Sequence, residues 1–403
     1  MSSQNLSRTL PGWLILMGAL TAIGPFSIDM YLPAFPAIAA ALDVPRGDVE
    51  RTLAAYLIGI SLSQIVYGPL ADRYGRKPPL VGALALYIVA SLGCALAQDV
   101  AALTAWRVLQ AMGGAAGIVI PRAVVRDHYE TQDAARALSM LMLAMGLAPI
   151  VAPILGGQLL QLTGWRGIFG LMAVWGATLL WAVLARMDES LTPEKVIALS
   201  WRNIAGNYLG LLSDRRFVAY SLAGGMGSAG MFAYIVGSPR VFIEIYGVPP
   251  QYYGLLFGLN AFMLIGGSQV SARLLRRATP DALLRRALFV LVGAGLAGLA
   301  LTLAGAISLP LLMLCLMAYM ASQGFVNPNA AALALSEQGR RLGAAAALLG
   351  TLQLGCGALS GLMVSAWQGD TALPLTGLLC ACSLLAWTAG RIGRRATENR
   401  GNA

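Results

Sequence analysis

Charge is what this chain has least of. Only 11% of its 403 residues are Asp, Glu, Lys or Arg, where a soluble domain has about a quarter, and 58% are hydrophobic. That shortage excludes a water-soluble globular protein and leaves an integral membrane protein. Histidine is almost missing as well. His128 is the only one, and its place just after the fourth apolar segment reads as a solvated residue at the membrane edge, not a proton carrier. The five cysteines, Cys94, Cys315, Cys356, Cys380 and Cys382, all fall inside apolar runs, where small buried fillers belong. Cys380 and Cys382 lie on opposite sides of a helix with no histidine nearby, so neither a metal site nor a cofactor is expected. The chain also lacks the His, Ser or Cys arrangement that catalysis needs and has no long soluble segment, which points away from an enzyme. The first apolar segment has no small-residue cleavage site of the signal-peptide kind and is expected to stay in the mature protein.

What is there is a series of charge-free windows, each about the length that crosses a bilayer as one helix. They run over residues 9–28, 52–71, 78–98, 108–121, 137–165, 167–185, 217–239, 245–272, 287–336, 342–369 and 371–390. The window at 287–336 holds two helices, because Ala306 to Pro310 supplies a turn. The count is therefore twelve. A net charge of +10 could suggest nucleic acid, but its placement argues for lipid. With a cytoplasmic N-terminus, 22 of the 28 Lys and Arg fall on cytoplasmic ends and loops, among them Arg8, Arg340 and Arg341. That asymmetry predicts both termini in the cytoplasm.

The longest connection, residues 186–216, is polar and divides the chain into an N-terminal six-helix bundle (1–185), a cytoplasmic linker (186–216) and a C-terminal six-helix bundle with a short tail (217–403). The halves read as a repeat. A shift of 200 residues lays Gly68-Pro-Leu-Ala-Asp-Arg-Tyr-Gly-Arg-Lys77 over Ser268-Gln-Val-Ser-Ala-Arg-Leu-Leu-Arg-Arg277. Arg273, Arg276 and Arg277 match the bases, while Ala272 replaces Asp72. Repeats of this size predict two bundles with a substrate cavity between them.

The loop at Gly68 to Lys77 sets the frame for the rest. One acid and three bases are wedged between two membrane segments, with Asp72 at the water boundary, Gly75 free to make a tight turn and Pro78 suited to the first turn of the next helix. Inside the first segment, Ser27-Ile-Asp29-Met-Tyr31-Leu-Pro33 places a carboxylate roughly 25 Å along a helix that starts near Gly12, in the outer part of the membrane. An acid there is costly unless it faces water or a partner, so Asp29 reads as functional. Arg107, in Arg107-Val-Leu-Gln110-Ala-Met-Gly-Gly114, enters from the outer side at a similar depth and is its expected partner. A structural ion pair between two helices is the plainer account of the same two residues. The fifth segment has Gly146, Pro149, Pro153, Gly156 and Gly157 within one helix, which weakens its hydrogen-bond ladder and lets a neighbour approach closely.

Gly-x-Leu-Ala-Asp-Arg-x-Gly-Arg-Lys after the second segment resembles the signature loop of the major facilitator superfamily, with every fixed position filled. Together with Ser-Ile-Asp-Met-Tyr-Leu-Pro, Arg107-x-x-Gln110, the fifth-segment glycines and prolines, and Gly164-Trp165-Arg166, the chain resembles the bicyclomycin-resistance branch of drug/proton antiporters. The resemblance implies a cytoplasmic gate of Gly68, Asp72, Arg73, Gly75, Arg76 and Asp127. In that gate Asp127, within Arg126-Asp-His-Tyr-Glu130, pairs with Arg73 or Arg76, and Asp72 faces the start of helix 11 near Gly343. It implies proton coupling through Asp29 and Arg107 and an antiporter motif at Gly146 to Gly157. Ala111 and Ala148 depart from that pattern, standing where many relatives have Gly.

The substrate cavity is expected among in-membrane polar and aromatic residues: Asp29, Tyr31, Tyr56, Gln110, Tyr234, Asn260, Gln323 and Asn327. Further candidates are Gln64, Tyr319, Asn329 and Gln353, with Met140, Met142, Met145, Met226 and Met231 offering an adaptable apolar wall. The fold expectation is an all-α integral membrane protein of twelve transmembrane helices in two six-helix bundles. The functional expectation is a monomeric exporter of small, moderately lipophilic drugs, driven by protons, in the bacterial inner membrane. A proton-coupled metabolite carrier on the same fold is the alternative.

Overall fold

The structure is a computed structural model that describes residues 12–129, 131–191, 201–338, 342–367 and 369–401. Arg8, Glu130, Arg340, Arg341 and linker residues 192–200 lie outside them. Among the described residues, ten helices are long and apolar enough to cross a membrane. One of them, Thr131–Arg186, is two helices that meet at Gly164, where φ is +70°. Arg215–Pro239 is diluted by Gly224, Gly225, Gly227, Gly230 and Gly237 and falls short of that apolarity, yet it forms a 25-residue helix of the same kind. The total is twelve, as the sequence predicts.

In chain order these are α1 (Gly12–Leu42), α2 (Arg46–Tyr74), α3 (Lys77–Leu96), α4 (Val100–His128), and α5 and α6 on either side of Gly164. A linker helix, Trp201–Leu212, follows. The second set is α7 (Arg215–Pro239), α8 (Pro250–Leu274), α9 (Pro280–Leu303), α10 (Leu309–Leu335), α11 (Leu342–Ala366) and α12 (Leu373–Gly401).

The helices pack into two bundles of six, α1–α6 and α7–α12. Glycine lets them approach closely. A Cβ on Gly113 of α4 would lie 2.6 Å from the Ala83 carbonyl oxygen of α3, and one on Gly117 would lie 2.5 Å from the Leu20 carbonyl oxygen of α1. Two helix pairs join the bundles, α2 with α11 and α5 with α8. In the first, Ser61 Oγ donates to the Thr351 carbonyl at 3.0 Å. In the second, Gly254 lies against Ile154 and Gly157 against Pro250.

α1 is longer than its charge-free window suggests. It breaks into Gly12–Thr21, Ile23–Asp29, a tight turn at Leu32–Ala34 and Phe35–Leu42. Pro33 and Pro36 each fall in the first turn of a new piece, where a missing N–H costs little, so the rod continues through them. Asp29 therefore lies about 25 Å along a rod of about 45 Å. It stands near the middle of that rod, which continues past it to Leu42.

The bundles are closed at the end opposite the signature loop. There Arg46, at the start of α2, pairs with Glu244 in the wide turn that follows α7. The Leu32–Ala34 turn of α1 packs against α7 and α8, and a Cβ on Gly156 of α5 would overlap the Met30 carbonyl oxygen.

Candidate transport pathway and gate

Three clusters follow from this packing. The first is the signature loop. α2 runs helically through Pro69 to Tyr74 and stops at Gly75, whose φ of +93° suits glycine alone. α3 starts at Lys77 with proline in its first turn. Arg76, buried between them, donates from Nε to Asp127 at 2.9 Å and from Nη1 to Asp72 at 2.5 Å. Of the two partners the resemblance allowed for Asp127, the structure takes Arg76, and Arg73 is exposed. Burial works against the Arg76 charge, but the bonds to Asp127 and Asp72 outweigh it and raise its pKa.

Two residues that the sequence reading passed over complete this cluster. Ser190 Oγ donates to Asp127 at 2.9 Å. Glu189 accepts the backbone N–H groups of Arg76 at 2.8 Å and Lys77 at 3.0 Å, which are orphan donors at the start of α3. Burial pushes the Glu189 carboxyl up, but the N–H groups of Arg76, Leu191, Lys77 and Ser190 outweigh it and hold the group below the ordinary 4.5. An acid a few residues past a long helix, within reach of a glycine turn, was the available signal. Asp72 pairs within its own bundle, and a Cβ on Gly343 would meet nothing within 4 Å. Among the described residues, the expected contact between Asp72 and the start of α11 is not made.

The second cluster surrounds Arg107. Its guanidinium is fully buried and lies over the rings of Tyr56 at 4.1 Å and Tyr31 at 4.7 Å. Nη1 donates to Gln110 at 2.6 Å, and Gln110 donates on to Ser91 at 2.8 Å. Tyr31 shares a 2.8 Å hydrogen bond with Thr52. No ion pair joins Arg107 to Asp29, which corrects the expected partnership. The reason is helical facing. Ser27, bonded to Tyr87 at 2.7 Å, points into the first bundle, and Tyr31, four residues on, points the same way. Asp29, two residues from each, is turned roughly 200° from Ser27 and faces the other bundle.

The third cluster is the space between the bundles, a cavity of about 330 Å³ lined by Asp29, Gln64, Arg122, Tyr234, Asn327 and Gln353 on a mostly apolar wall. The wall includes Met145, Pro149, Met231, Phe232, Phe257 and Met320. Tyr234 stacks on Phe257 at 5.3 Å, and Gln353 donates to Asn327 at 2.9 Å. Gln64 and Arg122 line the end of the cavity nearer the signature loop.

Of the eight expected substrate residues, Asp29, Tyr234 and Asn327 line this cavity. Tyr31, Tyr56 and Gln110 belong to the Arg107 cluster. Asn260 donates to the Leu256 carbonyl at 3.1 Å, Gln323 donates to Ser228 at 3.3 Å, and both are fully buried inside the second bundle. Among the expected methionines, Met145 and Met231 line the cavity, while Met140 and Met142 are exposed. Two further charges escaped the sequence reading, the half-buried Arg122 and the buried Glu50. Arg122 looked like an ordinary residue near a helix end. Glu50, with its Oε2 unpartnered, was hidden in the charged run Arg46 to Arg51.

The signature loop, a twelve-helix two-bundle packing and a central cavity form one pattern, and the sequence model of the Major Facilitator Superfamily matches residues 17–361. The chain belongs to that superfamily. It is 35% identical over 387 residues to the Bacillus subtilis MFS-type transporter YdgK, covering 94% of this chain and 96% of that protein. It is 30% identical over 381 residues to a bicyclomycin resistance protein homolog of Haemophilus influenzae, covering 93% and 94% of the two chains. A crystal structure of a peptide transporter superposes with a TM-score of 0.76 at 16% identity, covering 97% and 95%. That likeness shows the fold alone. The facilitator resembles the bicyclomycin-resistance type along almost its full length. Its family and fold are those of transporters acting on small molecules within a membrane.

Proposed function

We propose that this facilitator exports small, moderately lipophilic drugs, of bicyclomycin or phenicol type, across the bacterial inner membrane in exchange for protons. The observation that carries the reading is Asp29, the one carboxylate among the described residues that lines a mostly apolar cavity between the bundles. A buried acid without a cation is stable only when it holds a proton or meets water. Such a group can exchange a proton for substrate. The relatives named for bicyclomycin and chloramphenicol resistance support drugs as the cargo.

In this reading both termini lie in the cytoplasm, the signature-loop end faces inward, and the protein works as a monomer whose arrangement here corresponds to the inward-open state. Residues 1–185 and 217–403 move as two bundles joined by the 186–216 linker. A drug enters past Gln64 and Arg122 and settles among Phe257, Met231 and Tyr234. Outward opening separates Arg46 from Glu244, and the glycine faces of α5 and α8 provide the surface on which the bundles rock. Asp29 then takes a proton from the periplasmic side, the drug leaves, and deprotonation toward the cytoplasm resets the site. Proton and drug need only compete for one cavity to be coupled. Arg107 acts as a positioning residue that holds Tyr31 and Tyr56 behind Asp29. When the inner side closes, the half-exposed Asp72 reaches the start of α11, where the helix dipole favours an anion. A wet contact of that kind is weak enough to break in every cycle.

The test is drug accumulation in energised inverted membrane vesicles, over a panel that includes chloramphenicol and bicyclomycin. Accumulation that a protonophore collapses is expected. Failure to accumulate any member would favour a proton-coupled metabolite carrier instead.

A further inference from the structure

The cavity has a second charged lining residue, which the proton cycle leaves unused. Arg122 lies six residues before α4 ends at His128, and it faces the cavity. Its Nε is buried without a hydrogen-bond partner. Its Nη2 meets the Met145 sulfur at 3.8 Å, and a thioether is a weak acceptor. The neighbouring charge that bears on it, Arg126, has the same sign.

Asp29 is too distant to serve as a partner. A Cβ on Gly24 of α1 would lie 3.1 Å from Ile118 of α4, so these two residues share a level. Asp29 is five residues outward from it and Arg122 four residues inward, a separation of roughly 13 Å along the helices. A helix-end arginine ordinarily sends its guanidinium to the headgroups, and one that lines the space between bundles does not. The cavity therefore has an acidic pole at Asp29, a cationic pole nearer the signature loop, and an apolar wall between them.

We propose that Arg122 is the residue that reads one end of the substrate. On the export reading above, on which this rests, the cavity takes elongated molecules with oxygen acceptors at one end: a nitro, sulfonyl, carbonyl or carboxylate group. The planar guanidinium holds those oxygens through paired N–H donors. The body of the molecule lies on Met145, Met231 and Phe257, and a hydroxyl or amine at the other end donates to Asp29. Protonation of Asp29 then releases the donor end, while Arg122 stays charged throughout the cycle.

The test is equilibrium binding to the full chain in lipid nanodiscs. The probes are chloramphenicol and its analogue with phenyl in place of nitrophenyl, each against wild type, Arg122→Gln and Arg122→Lys. Wild type is expected to prefer the nitro compound. Arg122→Gln should weaken that compound by roughly tenfold or more, the worth of a charge-assisted hydrogen bond, and leave the analogue unchanged. Arg122→Lys, which keeps the charge and loses the fork, should fall between, and it carries the test if the Gln variant does not fold. Equal weakening of both probes would assign Arg122 to packing and overturn the proposal. So would a wild type indifferent to the nitro group. Binding with this pattern but without uphill export would overturn the export reading alone, and a wild type that binds neither probe would overturn both.

Discussion

Replacing Arg76 with alanine tests whether the signature loop is held by a buried charge pair or only by its turn. The Arg76 and Asp127 side chains are 8% and 10% exposed and meet at 2.9 Å. Removing one member of such a pair strands the other charge, at a cost of about 3–5 kcal/mol. The Ser190 hydroxyl stays on Asp127 and softens that cost, which favours the lower end. Asp72 is 42% exposed, so its bond to Arg76 adds at most about 1 kcal/mol. The expected loss for Arg76→Ala is therefore about 3 kcal/mol. Asp127→Asn alone should cost less, because Arg76 keeps Asp72. The double variant should fall short of the sum of the two by about 2 kcal/mol, since it leaves no stranded charge. Equilibrium unfolding of the detergent-solubilised protein, run as a double-mutant cycle, measures that difference. A coupling energy near zero would refute the pair and leave Gly75 and the helix ends as the sole source of the loop's order.

Glu189 gives a pH test. Its folded pKa is depressed, so its contribution is fully present above the unfolded value of about 4.5. That contribution is lost as pH falls through the folded pKa. Wild type should lose stability on acidification below that range more steeply than Glu189→Gln, which a series of thermal unfolding midpoints at falling pH would show. Gly156→Val should cost about 1–3 kcal/mol, because its Cβ would overlap the Met30 carbonyl and push α1 off α5 beside Asp29. Gly170→Ala, whose Cβ would meet nothing within 4 Å, is the matched control and should be neutral or slightly stabilising. Unfolding midpoints of the two variants against wild type decide it.

Much of the architecture was legible because lipid demands a simple code. Charge-free windows counted the helices, and the lysines and arginines that interrupt them marked one end of the molecule. The Gly75 turn was legible because a short loop fixes its order, whereas the resemblance left Asp127 between Arg73 and Arg76 and only the packing of α4 against the loop selects Arg76. What the sequence concealed was facing. Asp29 and Arg107 looked like partners from their positions along the chain, but a helix turns about 100° per residue, and Arg107 of α4 lies on the Tyr31 face of α1 while Asp29 faces the other bundle. Gln110, Asn260 and Gln323 looked like cavity residues, whereas each one satisfies a neighbour inside its own bundle, a use that polar groups in membranes share with substrate binding. Arg122 ran the other way. Nothing in its sequence context singled it out, and only the gap between the bundles revealed what it lines.

The most direct test of the account compares wild type with Asp29→Asn in drug-driven proton release from energised inverted vesicles, with binding of the same drug measured in parallel. The account predicts that Asp29→Asn, fixed in the uncharged form that releases drug, binds it more weakly than wild type and neither accumulates it uphill nor releases protons when drug is added. Uphill accumulation surviving in Asp29→Asn would contradict it and move the proton site to another residue.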